Sequence, residues 1–325
     1  MRAAMCGSGR GQGRLSEVLR PTYAVSAVLL CCGAIVGCED YPPPVGASAT
    51  TTPTATQPVR ARNELPRGGR TVFPRHQLVA YVGLPGSPAL GPLDSDLDAR
   101  AARLERLATS YASGRVPLPV MELIVVLAQA KGGADGMYRS RVDDAEVDRY
   151  LAVARRHRML LLLDVQPGRA NPLREIKRYE RWLSMPDVGL AFDPEWAVGP
   201  GQVPGRVFGR TSGAELDTIA AYLGGLVTRH DLPEKVFVFH QLSRRVVSNE
   251  KALKKHPGVV VVKSIDGIGH MTDKISTWRK LTPDLAPGVH AGFKLFYDED
   301  ARRGKLMTPA QVLALRPRPE LVTYE

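Results

Sequence analysis

The chain has 325 residues, is 44% hydrophobic and 24% charged, and carries a formal net charge of +11. That composition excludes a wholly disordered chain, a collagen and a coiled coil. All four cysteines (Cys6, Cys31, Cys32 and Cys38) lie in the first 38 residues, which excludes a disulfide scaffold for everything after them.

Chain order begins with a targeting segment. Arg2, Arg10, Arg14 and Arg20 precede an uncharged run over 21–37 whose apolar core is 24–36. That run is too short for an ordinary membrane span of ~20 apolar residues and has the length and flanks of a secretory h-region. It ends in Ile35-Val36-Gly37-Cys38. An aliphatic residue, a small residue and Cys at that place resemble the lipobox of bacterial lipoproteins. The resemblance implies a signal peptide over 1–37, cleavage before Cys38, acylation of Cys38, and a mature chain held on the extracytoplasmic face of the bacterial membrane. Two or three acyl chains hold stably where one does not. Loss of 1–37, with four Arg and one Glu, leaves a charge of +8. For an exported chain that basic surface suits an anionic membrane or cell wall better than nucleic acid.

Residues 38–75 read as a disordered tether. Tyr41-Pro42-Pro43-Pro44 leads into a Thr-, Ala- and Pro-rich stretch over 47–58, which cannot bury a core. Arg60, Arg62, Arg67, Arg70 and Arg75 follow, and they read either as a solvated spacer or as a basic segment attracted to anionic headgroups or wall polymers.

From 76 to 325 the chain alternates apolar runs and helix-period segments. The runs are 78–82, 119–127, 159–164, 188–193, 235–240, 258–263, 290–296 and 321–324. Most are continuous, as strands buried on both faces require. Helices are predicted over 95–111, 142–157, 174–183, 212–228, 243–255, 273–281 and 308–315, with caps at Thr211 or Ser212 and at Thr308. Eight strands and seven intervening helices in about 250 residues predict an α/β fold, a (β/α)8 TIM-type barrel whose last helix is absent. A doubly wound open sheet is the rival. It lacks a Gly-rich phosphate loop, since 83–91 (GLPGSPALG) does not fit G-x-G-x-x-G.

A barrel gathers its chemistry at the carboxyl ends of its strands. Polar residues stand there on nearly every run: Tyr81, Glu122, Asp164 with Gln166, Asp193 with Glu195 and Trp196, His240 with Gln241, Asp266, Lys294 with Tyr297 and Asp298, and Tyr324. Asp193-Pro194-Glu195-Trp196 is the strongest set. In extended chain, i and i+2 share a face, so both carboxyls point to the barrel axis. Two close carboxyls push one pKa up, which a general acid for glycosidic cleavage needs. A tryptophan offers a sugar platform. The other readings of this set are ligand binding without catalysis and an acidic helix cap.

The segment resembles the barrel glycoside hydrolases, several of which place the acid Glu after strand four; chitinase-like families use Asp-x-Glu and an aromatic there. The further upstream Asp residues of that motif are Ala191 and Val188 here. The resemblance implies Glu195 as acid with Asp193 tuning it, and Asp164, Asp298 or Glu299 as second carboxylate. Strand-end placement offers a carbohydrate ligand Trp196, Gln166, His240, Gln241, Asp266, Lys294, Tyr297, Glu122 and Tyr81; the alternative readings are a buried, paired Glu122, a core polar contact for His240, an inward partner or anionic ligand for Lys294, and a tight turn at Asp266. No cofactor and no metal site are expected, since the seven His form neither H-x-H nor H-E-x-x-H. Three long loops, 83–94, 131–141 and 197–210, are expected to wall the pocket, with Tyr138 a second platform. The runner-up is a barrel that binds cell-wall glycan or a small ligand without turnover.

Overall fold

The computed structural model describes residues 63–325; the expected signal peptide and the lipobox-like segment ending at Cys38 lie outside them. The eight apolar runs form strands β1 (His76–Gly83), β2 (Val116–Ala128), β3 (Leu160–Val165), β4 (Val188–Phe192), β5 (Lys235–Gln241), β6 (Val259–Ile265), β7 (His290–Leu295) and β8 (Leu321–Tyr324). Each pairs in parallel with the next, and β8 returns to β1 in the register Leu78↔Leu321 to Tyr81↔Tyr324. The ring is closed and leaves no edge, so the fold is a (β/α)8 barrel and the open-sheet rival falls.

Helices cover the outside: α1 (Leu97–Thr109), α2 (Asp144–Arg156), α3 (Pro172–Lys177), α4 (Glu180–Leu183), α5 (Gly213–His230), α6 (Met271–Leu281), α7 (Tyr297–Ala301) and α8 (Pro309–Leu313). The 3.6-residue stripe sets which face is buried: α1 turns Leu97, Ala101, Leu104 and Ala108 to the wall. Ser212 caps α5 by accepting from the Glu215 backbone N–H, and Thr308 forms a capping box with Gln311. Two predicted helices differ. The 174–183 segment is two short helices, α3 and α4. The 243–255 segment forms no α-helix. Its β-branched pair Val246-Val247 is buried, Val247-Ser248 pairs with Thr211-Ser212, and Asn249 takes a left-handed φ of 45°. Local bridging and β-branching outweigh the helical period there.

The apolar interior is split by the wall. An outer core lies between strands and helices. An inner core of Leu78, Ala80, Leu118, Val120, Leu160 and Leu162 with facing residues of the other strands fills the barrel toward the strand starts. Leu65 and Val72 join it, with Phe73 packed against it. The folded body therefore begins by Asn63, not at His76, and the last part of the segment read as tether closes the barrel floor. Arg70 is spent there on Asp231 (2.8 Å) and on backbone carbonyls of 231 and 232, and Arg67 on Glu105 (2.9 Å), so neither is a free basic arm. Among the described residues, no helix is long and apolar enough to cross a membrane.

Candidate active site

Period-two alternation carries each strand from grease to charge along the same inward face. Leu118 and Val120 lead to Glu122. Leu160 and Leu162 lead to Asp164 and then Gln166. Ala191 leads to Asp193, Val236 and Val238 to His240, and Val260 and Val262 to Ser264 and Asp266. Gly292 leads to Lys294, and Leu321 to Thr323 and Glu325. Seven of the eight strands thus deliver a polar group to the upper lumen; β1 brings Val82.

These groups form a chain across the barrel. Glu122 Oε1 lies 3.2 Å from His240 Nε2, and His240 Nδ1 lies 2.8 Å from Asp266 Oδ2. Asp266 is 3.4 Å from Lys294 Nζ, which sits 2.6 Å from Glu325 Oε2. Ser264 donates to the other Asp266 oxygen at 2.7 Å. On the opposite wall the Gln166 amide donates to Asp193 at 3.1 Å, and the Glu195 carboxyl lies against Asp193. Glu122 and His240 are fully buried.

The electrostatics divide the acids. Burial and then the Asp193 charge hold the Glu195 carboxyl well above the usual carboxylate range, and a hydrogen bond to Asp193 adds to this. Asp164 is raised for the same first two reasons. Burial would raise Asp266 too, but Lys294 and His240 beside it overcome that and hold it low. His240 is pulled down by burial, yet the Asp266 carboxylate prevails and the imidazole ends well above its ordinary value. Lys294 is raised likewise, with Glu325 and Asp266 outweighing burial. Acids pushed toward their neutral form thus stand beside a His240–Lys294 pair pushed toward its charged form. One oxygen each of Asp164, Asp193 and Glu195, and both of Glu122, are buried with no aligned hydrogen-bond partner. Unpartnered carboxyl oxygens gathered at the strand exits suit a ligand that brings its own hydroxyl groups, which both donate and accept. Among the described residues, no group of three or more His, Cys, Asp or Glu is placed to hold a metal ion.

Of the residues expected from sequence, Glu195, Asp193, Asp164, Gln166, Glu122, His240, Asp266 and Lys294 come together, although Glu195 does so from a single 3-10 turn over Pro194–Trp196 and not from extended chain, because the strand ends at Phe192. Others do not. Tyr81, Gln241 and Tyr324 sit one residue out of phase and face away from the lumen. Tyr81 and Tyr324 belong to the outer core, where Tyr324 meets Tyr111 hydroxyl to hydroxyl at 2.6 Å, and Tyr297 stacks on that cluster. Gln241 donates to the Ser243 carbonyl. Asp298 and Glu299 are exposed on α7, which turns them off the strand line. Trp196 is half-buried beside Gly205 of its own loop. Tyr138 stacks under the Arg169 guanidinium, 4.0 Å away. Glu325 and Ser264 are lumen residues that the sequence reading missed; counting by twos along β8 from Leu321 and along β6 from Val260 finds them, whereas the aromatic Tyr324 stands out in their place.

The three loops differ in their use. The 83–94 loop tucks against β1, where a Cβ on Gly83 would fall 2.6 Å from Leu93. The 131–141 loop ends in Arg139–Arg141, which pairs antiparallel with the end of β2. The 197–210 loop returns beside Glu195. A Cβ on Gly209 would lie 2.4 Å from the Ala197 carbonyl oxygen, so this return requires glycine. Beside it lies a cavity of about 980 Å³.

No family model matches the sequence, and no curated protein matches it. Among solved structures, the chain is similar to a hyperthermophilic endo-β-1,4-glucanase in complex with substrate, at 9% identity and a TM-score of 0.37, over 76% of this chain and 88% of that one. The barrel assignment rests on the strand pairing, not on this likeness.

Proposed function

We propose that the barrel is a glycoside-hydrolase-like enzyme in which Glu195 is the general acid. The observation that carries this reading is the Glu195–Asp193 pair: a carboxyl kept protonated by burial and a neighbouring charge, at the exit of β4. Glu195 would give its proton to the glycosidic oxygen as the bond to the anomeric carbon breaks. Asp193 supplies the negative charge that stabilises the positive charge developing on the sugar ring. The Glu195 proton ends on the leaving hydroxyl; water then adds its oxygen to the anomeric carbon and gives its spare proton back to the Glu195 carboxylate, which restores the acid. Asp164, which lies close enough to feel the Asp193 charge, is the second carboxyl of this reading. Glu122, Gln166 and His240 present acceptors and donors for sugar hydroxyls, and the Asp266–Lys294–Glu325 chain holds His240 in place.

The reading extends to location. The chain is an exported lipoprotein anchored through Cys38 on the extracytoplasmic face of the membrane, and its substrate is envelope or environmental polysaccharide. What supports this is the lipobox-like Ile35-Val36-Gly37-Cys38 behind a basic and then apolar segment.

The test is reducing-end release from a panel of wall and soluble glycans by the full-length protein and by Glu195→Gln. The wild type should cleave at least one glycan, and the variant should bind it while losing ~10²–10⁴-fold in turnover. Equal binding by both with no cleavage by the wild type would replace catalysis with glycan binding. For the anchor, Cys38→Ala should leave an uncleaved precursor or release the protein to the medium. Unchanged processing with membrane retention contradicts lipidation.

A further inference from the structure

The loop that follows Glu195 does more than close on itself. It forms one wall of the 980 Å³ cavity, through Ala197, Val198, Phe208 and Arg210; the segment after β5 forms the other, through Leu242, Arg245 and Val246. A short parallel ribbon joins the two walls. Thr211 pairs with Val247 and Ser212 with Ser248, and the Thr211 N–H donates to the Val246 carbonyl at 2.8 Å. This ribbon sets Arg210 and Arg245 on neighbouring backbones at the rim.

Neither guanidinium has a hydrogen-bonded, ionic or aromatic partner among the described residues. Their neighbours are engaged: Arg244 pairs with Asp284 at 2.9 Å, and Arg169 donates to the Gln202 carbonyl at 2.6 Å. Glu215, the acid on the cavity wall, accepts from the Thr211 hydroxyl at 2.7 Å. Phe208 is 62% exposed on the same wall, the most exposed large apolar side chain among the described residues. A flat apolar ring beside two free guanidinium forks matches a sugar ring that bears an anionic group.

We propose that this cavity is a subsite for an anionic saccharide unit, a sugar carrying a carboxylate or a phosphate. As a subsite of the cleaved chain it rests on the glycosidase reading, because it adjoins Glu195 through the same loop; as a binding site it stands alone. Arg210 and Arg245 take the anion and Phe208 stacks on the ring. The substrate class is then acidic glycan rather than neutral glucan.

Calorimetry on the full chain tests it with two matched pairs: oligogalacturonate against its methyl ester, and a phosphorylated mannan oligosaccharide against its dephosphorylated form. At least one acidic member should bind ten-fold or more tighter than its neutral partner. That gap should shrink with added salt, vanish in Arg210→Gln/Arg245→Gln, and persist in Glu195→Gln. The pair showing the gap tells carboxylate from phosphate. Arg210 and Arg245 are exposed, so the double variant should melt with the wild type, and Phe208→Ala should weaken both members of the pair together. No preference for either acid, or a preference that survives the double substitution, overturns the subsite. Glu195-dependent cleavage of a neutral glycan, unchanged by the double substitution, keeps the catalytic reading and rejects the subsite. An arginine-dependent gap without any cleavage does the reverse.

Discussion

Buried charges in this protein fall into two populations, one outside the barrel wall and one inside it. Outside, Lys263 meets Glu250 at 2.7 Å and the Leu281 carbonyl at 3.0 Å. Lys274 meets Asp300 at 2.8 Å, and Asp300 also accepts the Phe296 and Gly269 backbone N–H groups. Glu175 takes the forks of both Arg139 and Arg141. Inside, His240, Asp266, Lys294 and Glu325 pair with one another, but oxygens of Glu122, Asp164, Asp193 and Glu195 stand without aligned partners. A fold has no reason to collect such groups for stability, since unpartnered burial costs free energy. The outer set ties helices and loops to strands; the inner set is held in readiness for something else. Comparable burial therefore separates scaffold from site only when partners are counted.

The largest test of that division is Glu195→Gln, whose loss of ~10²–10⁴-fold in kcat should come with an unchanged or slightly raised melting temperature. Lys263→Met should do the opposite. It strands the buried Glu250 carboxylate outside the wall and should cost about 3–5 kcal/mol in urea unfolding, with kcat per folded molecule retained. If the two variants fail in the same way, the division is false.

Proton linkage sharpens it. Asp164 has a folded pKa raised by burial and by the Asp193 charge, so the native state keeps a proton that the unfolded chain releases above about pH 4. Its penalty is absent below that pH and grows as pH rises toward the folded value. Asp164→Asn carries no such proton, so its stability relative to wild type should increase between pH 4 and 7 in parallel urea titrations; a flat difference would remove Asp164 from the neutral acids. Asp193→Asn deletes a charge that raises Glu195, so the alkaline limb of kcat/KM should move to lower pH. An unmoved limb would assign it to another group.

Much of this was legible in the sequence, for a physical reason. Strands buried on both faces must be apolar almost throughout, so an Asp closing four leucines or a Lys between Phe293 and Leu295 stands out. Those interruptions marked the barrel and most of its lumen. What the sequence hid was phase. One step along a strand moves a side chain from lumen to outer wall, and aromatic residues are at home on either side. Tyr81 and Tyr324 were thus read as lumen groups, while Glu325, in phase with Leu321, was overlooked. The barrel floor was hidden as well. The 63–75 segment has the composition of a spacer, and it is ordered by Leu65, Val72 and Phe73 entering a core that the rest of the chain builds, together with the Arg67 and Arg70 ion pairs to residues far along the chain.

The tyrosine cluster gives the smallest effect and the cleanest check on phase. Tyr297 packs its ring on Tyr81 and Tyr324, and its hydroxyl reaches the Tyr81 hydroxyl at 3.3 Å. Tyr297→Phe keeps every ring contact and removes one long hydrogen bond, worth about 0.5–1 kcal/mol. On the outer side of the wall that loss should appear only as a small drop in unfolding free energy, with kcat and KM on any cleaved glycan unchanged. A rise in KM from this one oxygen would mean that the aromatic side of the wall touches the sugar after all. The boundary between the scaffold and the site would then have to move outward to include the α7 end of β7.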